Sequence, residues 1–379
     1  MKKQNGKKNF FYHYFFAFSL VGFTGLVLYA TVPQKNDTHG ALAPEEKNTT
    51  IEQKHIPQKH VQADVVKAIY VTMYTAGSTK KMDALIALAD ATEVNAMVID
   101  VKGSQGELIY DMFDAPALVA KLHEHGIYAI ARIVVFQDSG AATREPAVVI
   151  KKEGGGIWRD RRGFSWVDPA AEKGWEHVFD VSKKALDMGF DEINFDYIRF
   201  PTDGNLGTMV YPAWNTEVPQ HEVIAKFAMR ARDVLKAYDP AMKLSIDIFG
   251  YTFLQSSGLG IGQRLEDTVA IFDGVYPMVY PSHYSTGNFG FSNPADHPYE
   301  VVKGTLEKGL AQLGDNATTS APKIRPWLQA FDMGAVYTPE KMRAQIQATT
   351  DGLRGMSTGW LLWDPGNDYD NGYTFLEKE

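Results

Sequence analysis

From residue 65 onward, short apolar runs alternate with amphipathic stretches along the chain. Between the runs, apolar residues recur at spacings of three and four, as at 80–93 and 221–240, which is typical of helices covering a core. Eight strand–helix alternations predict an α/β fold, a (β/α)8 TIM barrel, over residues 64–379. A doubly wound open sheet is the alternative, but no glycine-rich phosphate loop follows the first strand. The eight runs have the β-branched and aromatic content of strands and occupy 66–74, 95–103, 127–136, 192–201, 243–251, 273–281, 323–331 and 357–365.

The chain before the barrel divides into three predicted segments. Residues 1–9 carry four lysines and no acid, and residues 10–30 contain no Asp, Glu, Lys or Arg. Such a stretch is long enough to cross a bilayer core of about 30 Å as a helix, and its flanking lysines favour the cytoplasmic side. We therefore expect a single-pass signal anchor at 10–30 in a bacterial cell membrane, a polar flexible linker at 31–63, and an extracytoplasmic catalytic domain. Secretion after cleavage of a signal peptide is the alternative.

Composition narrows the choice of function. The 379-residue chain has a formal net charge of −8, so it offers no basic surface for a phosphate backbone, and we expect no nucleic-acid partner. It contains no cysteine, which excludes disulfides, thiolate metal sites and cysteine nucleophiles.

Three long loops follow predicted strands, at 137–168, 202–219 and 282–298. In a TIM barrel the loops after strands form the catalytic face. Aromatic rings stack on sugar faces, so these loops favour a polysaccharide or oligosaccharide partner. Their aromatic residues are Trp158, Trp166, Tyr211, Trp214, His283, Tyr284 and Phe289.

Charged residues interrupt the predicted strands near their carboxyl ends. In the run 192–201, alternation places Ile193 and Phe195 on one face and Asn194 and Asp196 on the other. The apolar face should meet the helices, so Asp196 points into the barrel near its mouth, and the same logic directs Asp247 inward. The other candidates for substrate binding are Asp100, Lys102, Arg132, Asn194, Arg199, Tyr280, Gln329, Trp363 and Asp364.

Asp196 and Asp247 project from neighbouring predicted strands, which lie about 4.8 Å apart in a sheet. Their carboxyl groups can therefore sit about 5–6 Å apart, the separation of a retaining glycosidase. Arg199 or Arg132 would keep Asp196 ionised as the nucleophile, whereas the apolar strand around Asp247 favours a protonated acid/base. This chemistry requires no cofactor and no metal ion.

The segments "DMGFDEINFDYIRFPTDG", "VIDVKGSQGELIYD" and "WVDPA" together resemble a family of bacterial glycosyl hydrolase domains. The resemblance covers roughly residues 66 to 375, and "FDYIRFP" is its most specific part. It implies a sugar-active TIM barrel related to polysaccharide-cleaving enzymes, and it does not supply a substrate.

The segment "GFDEINFDYIRFP" is also distantly similar to the strand-four motif of family 18 chitinases, DxxDxDxE. Asp191 and Asp196 match acidic positions, but Asn194 replaces an aspartate and Ile198 replaces the catalytic glutamate. This resemblance implies shared ancestry without chitinase activity. Two alternatives to a glycosidase stay open: a catalytically degenerate carbohydrate-binding barrel, and a metal-dependent polysaccharide deacetylase.

Overall fold

The computed structural model describes residues 60–369 and residue 376. Eight parallel strands form a closed barrel in which neighbours along the chain are neighbours in space. This confirms the predicted (β/α)8 fold. The strands are β1 (Val66–Val71), β2 (Ala96–Lys102), β3 (Tyr128–Val134), β4 (Glu192–Asp196), β5 (Lys243–Phe249), β6 (Gly274–Val279), β7 (Trp327–Gln329) and β8 (Gly359–Trp363).

Helices connect the strands and surround the barrel. They are α1 (Thr79–Ala91), α2 (Ala115–Glu124), α3 (Trp175–Asp187), α4 (Gln220–Tyr238), α5 (Leu265–Ile271), α6 (Pro298–Leu313) and α7 (Pro339–Gly352). Shorter helical turns lie at Met73–Ala76, Ala141–Arg144 and Ala317–Ser320, and a small hairpin pairs Lys151–Lys152 with Met209–Val210. Side chains fix several helix starts, because the Asp114 carboxylate accepts from Ala117 N–H and Thr338 caps α7.

The barrel closes where β1 pairs with β8, beginning at Val66 and Gly359. Gly359 has a φ of 128°, and a Cβ atom there would lie 1.8 Å from the Val66 carbonyl oxygen. Closure therefore requires glycine at this position.

Two apolar layers result from the alternation of side chains. Ile193 and Phe195 of β4 pack outward against the helices, whereas Tyr70, Tyr276 and Trp327 fill the barrel interior. Asn194 and Asp196 lie on the inward face, as the alternation predicts. The polar residues of this face are therefore carried on rigid strands.

The lower, amino-terminal end of the barrel holds a second set of buried charges. His60 lies 2.8 Å from Asp239 and 3.7 Å from Asp191, and Val61 N–H donates to Asp191. Residues 60–63 therefore contact the barrel.

The predicted anchor at 10–30 and most of the predicted linker lie outside the described residues. Between residues 60 and 369, the structure contains no helix that is both long enough and apolar enough to cross a bilayer.

Candidate active site

Arg132 of β3 is the centre of the polar cluster at the mouth of the barrel. Its Nη1 atom donates to Asp100 Oδ1 over 2.5 Å, and its Nη2 atom pairs with Asp196 Oδ2. Its Nε atom is 3.2 Å from the same Asp196 oxygen and 3.7 Å from Asp247 Oδ2. One buried guanidinium thus contacts three carboxyl groups from β2, β4 and β5, and these carboxylates raise the pKa of Arg132 against the effect of its burial.

The shared contact limits the separation of the two predicted catalytic carboxyl groups. Asp196 Oδ2 and Asp247 Oδ2 both lie within 4 Å of Arg132 Nε. These two oxygens are therefore at most about 7 Å apart, which includes the range of retaining glycosidases and extends just into that of inverting enzymes. The structure brings the predicted pair together.

Asp247 is the deepest of the three carboxyl groups, with 1% of its surface exposed. Its Oδ1 atom accepts from Trp327 Nε1 at 2.8 Å and from Asn194 Nδ2 at 3.1 Å. Burial raises the pKa of Asp247 well above its usual range, and the charge of Asp196 raises it further. The protonated form is therefore favoured at Asp247.

Asp196, 6% exposed, accepts hydrogen bonds from a charged donor and a backbone donor. Besides Arg132, the backbone N–H of Tyr197 donates to Asp196 Oδ1 over 2.6 Å. Tyr197 has a φ of 53°, a left-handed conformation that is uncommon for a residue other than glycine. This turn ends β4 at Asp196, earlier than the predicted run 192–201, and directs the N–H of Tyr197 at the carboxylate.

Asp100 completes the cluster on the side of β1 and β8. Tyr70 donates its hydroxyl to Asp100 Oδ2 over 2.5 Å, and burial raises the pKa of Asp100. The Tyr70 ring stacks on Trp363 at 3.8 Å, and the Arg132 guanidinium lies 5.3 Å from the Trp363 ring centre. Trp363, predicted to bind substrate, therefore forms one wall of the cluster.

Three predicted substrate-binding residues lie apart from the cluster. Lys102 is fully buried; its Nζ atom donates to Val134 O at 2.8 Å and forms an ion pair with Asp138 at 3.0 Å. An irregularity in β2 shifts the strand register after Asp100 and so turns Lys102 away from the cluster. Gln329 is also fully buried, and its amide bonds the backbone of the loops after β6 and β7. Asp364 caps its own turn by accepting from two backbone N–H groups.

Asn194 and Tyr280 line the interior next to the carboxyl groups. The Asn194 amide donates to Ser245 Oγ and Asp247 Oδ1, and its own Oδ1 atom is buried without a hydrogen bond. Burial raises the pKa of Tyr280, and the charges of Asp247 and Asp196 add to this effect. Both residues therefore border the site, and Asn194 forms the floor beneath Asp247.

Arg199 does not pair with Asp196, which corrects one of the two predicted partners. Its Nη1 atom donates to Phe200 O at 3.0 Å and to Thr202 Oγ1 at 3.3 Å. Of the two arginines, only Arg132 hydrogen-bonds Asp196.

Three aromatic residues of the long loops do not present their rings to a ligand. Trp158, Trp166 and Tyr284 are buried, and Trp158 and Trp166 donate their indole N–H groups to partners within the loops. The prediction of a sugar-stacking role for these three rings is therefore wrong. Of the others, Trp214 packs against Phe200 at 4.8 Å.

The sequence reasoning missed Tyr74, whose side chain is 66% exposed beside the mouth. The predicted strand 66–74 included it, but β1 ends at Val71 and Tyr74 lies in the helical turn that follows. Partial burial raises the pKa of Tyr74, and the nearby Glu107 and Asp100 raise it further. The signal for this turn is Thr72, whose hydroxyl accepts from Thr75 N–H as a helix cap.

No group of three or more His, Cys, Asp or Glu side chains among the described residues is arranged to hold a metal ion. The three aspartates of the mouth converge on a guanidinium rather than on one another.

Comparison with protein families identifies a match that covers residues 68–369, well over half of the chain, with a family described as "Putative glycosyl hydrolase domain". This confirms the resemblance seen in the sequence. Among curated proteins, no relative matches the chain.

Solved structures share the barrel. An α-galactosidase from Thermus thermophilus, in complex with stachyose, is 17% identical, with a TM-score of 0.50 over 84% of this chain and 67% of that one. An α-L-fucosidase from Paenibacillus thiaminolyticus is 14% identical, with a TM-score of 0.50 over 82% and 48% of the two chains. A hypothetical protein from Ruminiclostridium thermocellum is 31% identical over 47% of this chain and 96% of that one, with a TM-score of 0.42. The chain spans less than half of the fucosidase, and the likeness to both glycosidases shows the fold alone.

Proposed function

The chain belongs to this glycosyl hydrolase domain family and is a glycosidase, and from that premise we propose that it cleaves a cell-wall or extracellular polysaccharide through Asp196 and Asp247. The main support for the proposal is that one oxygen of each carboxyl group lies within 4 Å of Arg132 Nε. Two carboxyl groups on neighbouring strands, one ionised and one protonated, are the requirement of this chemistry.

The two carboxyl groups have different roles in this mechanism. Asp196 attacks the anomeric carbon while the bond to the leaving oxygen breaks, and Asp247 transfers its proton to that oxygen. A water then gives a proton to Asp247 and displaces Asp196 from the sugar. Arg132 and Tyr197 N–H stabilise the Asp196 carboxylate before and after the covalent step. The product retains the configuration of the substrate.

The location of the enzyme is part of the proposal. The lysines of residues 1–9 and the charge-free run at 10–30 support a membrane anchor with the barrel outside the cytoplasm. Cell fractionation tests this: we expect the full chain in the membrane fraction, whereas a shortened, soluble form in the medium would indicate cleavage and secretion.

Release of reducing ends from a panel of polysaccharides tests the activity. We expect Asp196→Asn and Asp247→Asn each to lower kcat by about 10²–10⁴-fold. Asp364→Asn is the matched control, because that carboxylate caps a turn, and it should retain activity. The anomeric configuration of the first product, followed by NMR, should match that of the substrate.

Other outcomes would select a different mechanism. Asp100 is 9% exposed and more accessible than Asp247, so an inactive Asp100→Asn beside an active Asp247→Asn would assign the acid to Asp100. Binding of polysaccharide without release by the wild type would indicate a degenerate carbohydrate-binding barrel. Loss of activity in chelator, restored by a divalent ion, would indicate the metal-dependent alternative.

A further inference from the structure

Arg199 is a buried cation without an ion-pair partner among the described residues. Its side chain is 8% exposed, and it hydrogen-bonds through Nη1 to neutral oxygens of Phe200 and Thr202. Within the described part of the chain, no acceptor lies within hydrogen-bond distance of its Nε and Nη2 atoms, and neither atom is among those fully shielded from solvent. The Nε and Nη2 atoms therefore keep N–H groups that no described acceptor takes up.

The comparison with Arg132 shows that this arrangement is unusual. Arg132 and Arg199 are the arginines that the described residues bury, and Arg132 contacts three carboxyl groups. Burying an unpaired charge is unfavourable, and burial lowers the pKa of Arg199 accordingly. Asp196, Asp203 and Asp160 oppose that shift, but none forms a salt bridge with the guanidinium.

Aromatic rings hold the guanidinium in place and compensate part of this cost. The Arg199 guanidinium carbon lies 4.9 Å from the ring centre of Trp166, 5.1 Å from Tyr197 and 5.0 Å from Phe249. Such cation–π contacts stabilise a guanidinium that has lost part of its water. The rings come from the loop after β3 and from the ends of β4 and β5, so Arg199 lies at the catalytic face, in the same turn as Asp196.

From this geometry we infer that Arg199 binds an oxyanion of the substrate, a carboxylate or a sulfate ester, on a sugar next to the one that Asp196 attacks. A guanidinium presents paired N–H donors that match the geometry of an oxyanion. The inference rests on the proposed function and gives it a substrate class, an acidic polysaccharide. Arg132 cannot serve this purpose, because Asp100 and Asp196 already occupy its donors.

Calorimetric titration of the full chain carrying Asp196→Asn tests the inference without cleavage. The ligands are matched pairs: an oligogalacturonate and its methyl ester, an oligoglucuronate and its methyl ester, and a sulfated galactan oligosaccharide and its desulfated form. We expect the acidic member of at least one pair to bind about 10–100-fold more tightly than its neutral partner, the gain from hydrogen bonds to a charged group. The pair that shows the difference distinguishes carboxylate from sulfate.

Substitutions at position 199 then show whether Arg199 causes the difference in affinity. Arg199→Met should abolish the difference within the pair and keep the fold, because methionine fills the space between three rings without a buried charge. Arg199→Lys keeps the charge but loses the paired N–H donors of the guanidinium. It should therefore restore only part of the difference in affinity between the acidic and neutral ligands. Arg162→Met is the matched control, because Arg162 lies over Phe164 at an exposed position, and it should leave the difference intact. Thermal unfolding checks that each variant is folded.

Three binding results would overturn the inference: no binding of any acidic ligand, equal or tighter binding of the neutral member in every pair that binds, or a difference that survives Arg199→Met. Two further results distinguish failure of this inference from failure of the proposed function. Cleavage of neutral polysaccharide at a rate unaffected by Arg199→Met refutes only the inference. Arg199-dependent binding of an acidic ligand that the wild type does not cleave refutes the glycosidase mechanism and leaves the anion site.

Discussion

Trp327 donates its indole N–H to Oδ1 of Asp247 over 2.8 Å inside the barrel. Asn194 donates to the same oxygen, so Oδ1 accepts two hydrogen bonds from neutral donors. A proton on Asp247 would therefore occupy Oδ2, the oxygen that lies 3.7 Å from Arg132 Nε. This relationship makes the protonation of Asp247 sensitive to Trp327.

The first prediction concerns the pH dependence of hydrolysis. Burial raises the pKa of Asp247, and the protonated fraction of this acid falls as pH rises through that raised pKa, so kcat/KM should decline on the basic side. The Trp327 hydrogen bond opposes the rise by stabilising the carboxylate. Trp327→Phe should therefore move the basic limb to higher pH. Trp360→Phe, a change in the layer between barrel and helices, is the control; a limb that stays in place or moves to lower pH in Trp327→Phe would refute the assignment.

The second prediction concerns the guanidinium at the centre of the cluster. Arg132→Met leaves Asp100, Asp196 and Asp247 close together without a counter-charge, so the free energy of unfolding at pH 7 should fall by about 3–5 kcal/mol. Chemical denaturation measures this loss. Adding Asp100→Asn to Arg132→Met removes one of these acidic groups and should restore part of the stability.

Two observations check the electrostatic origin of that loss. It should shrink as pH falls, because protonation of the carboxyl groups removes their repulsion. Lys121→Met removes a cation from an exposed pair with Asp83 and should cost only about 0–1 kcal/mol. A loss in Arg132→Met that is independent of pH would indicate lost packing instead.

The fold could be predicted because its signal is periodic. Alternation along 192–201 directs Asn194 and Asp196 inward, and the same rule holds for Asp247, since each strand has one face toward the helices. The residues at which strands end could not be predicted from this periodicity. Asp196 ends β4 because Tyr197 adopts a left-handed backbone, and no pattern of apolar residues reports that conformation.

Strand register and side-chain rotamers decide which side chains meet in the site, and the sequence pattern specifies neither. An irregularity after Asp100 takes Lys102 to Asp138, although strict alternation groups it with Asp100. Arg199 follows Asp196 closely in sequence, yet its side chain points toward three aromatic rings rather than toward the carboxylate. Proximity along the chain was therefore a poor guide to which arginine pairs with Asp196.

The third prediction concerns the strained turn after β4. A residue other than glycine costs roughly 1–2 kcal/mol in the left-handed conformation that Tyr197 adopts. Tyr197→Gly and Tyr197→Ala remove the same ring, but only glycine relieves the strain. Tyr197→Gly should therefore be more stable than Tyr197→Ala by about 1 kcal/mol in chemical denaturation. The reverse order would show that the turn is not left-handed in solution.

The last prediction concerns the attachment of residues 60–63 to the lower end of the barrel. Asp191 and Asp239 raise the pKa of His60 against the effect of burial, so the folded protein binds this proton more tightly than the unfolded chain. The stabilisation is fully present below the unfolded pKa of about 6.5 and is lost as pH rises through the raised value. Asp191 also accepts from His123 at 3.0 Å and from Ala129 N–H, and its own pKa is lowered, so the contact weakens again in acid.

We expect His60→Gln to lower the melting temperature at pH 6 and to have a much smaller effect at pH 9. His125→Gln, which removes an exposed pair with Asp90, is the control. An effect of His60→Gln that grows between pH 6 and pH 9 would show that the neutral imidazole holds this segment.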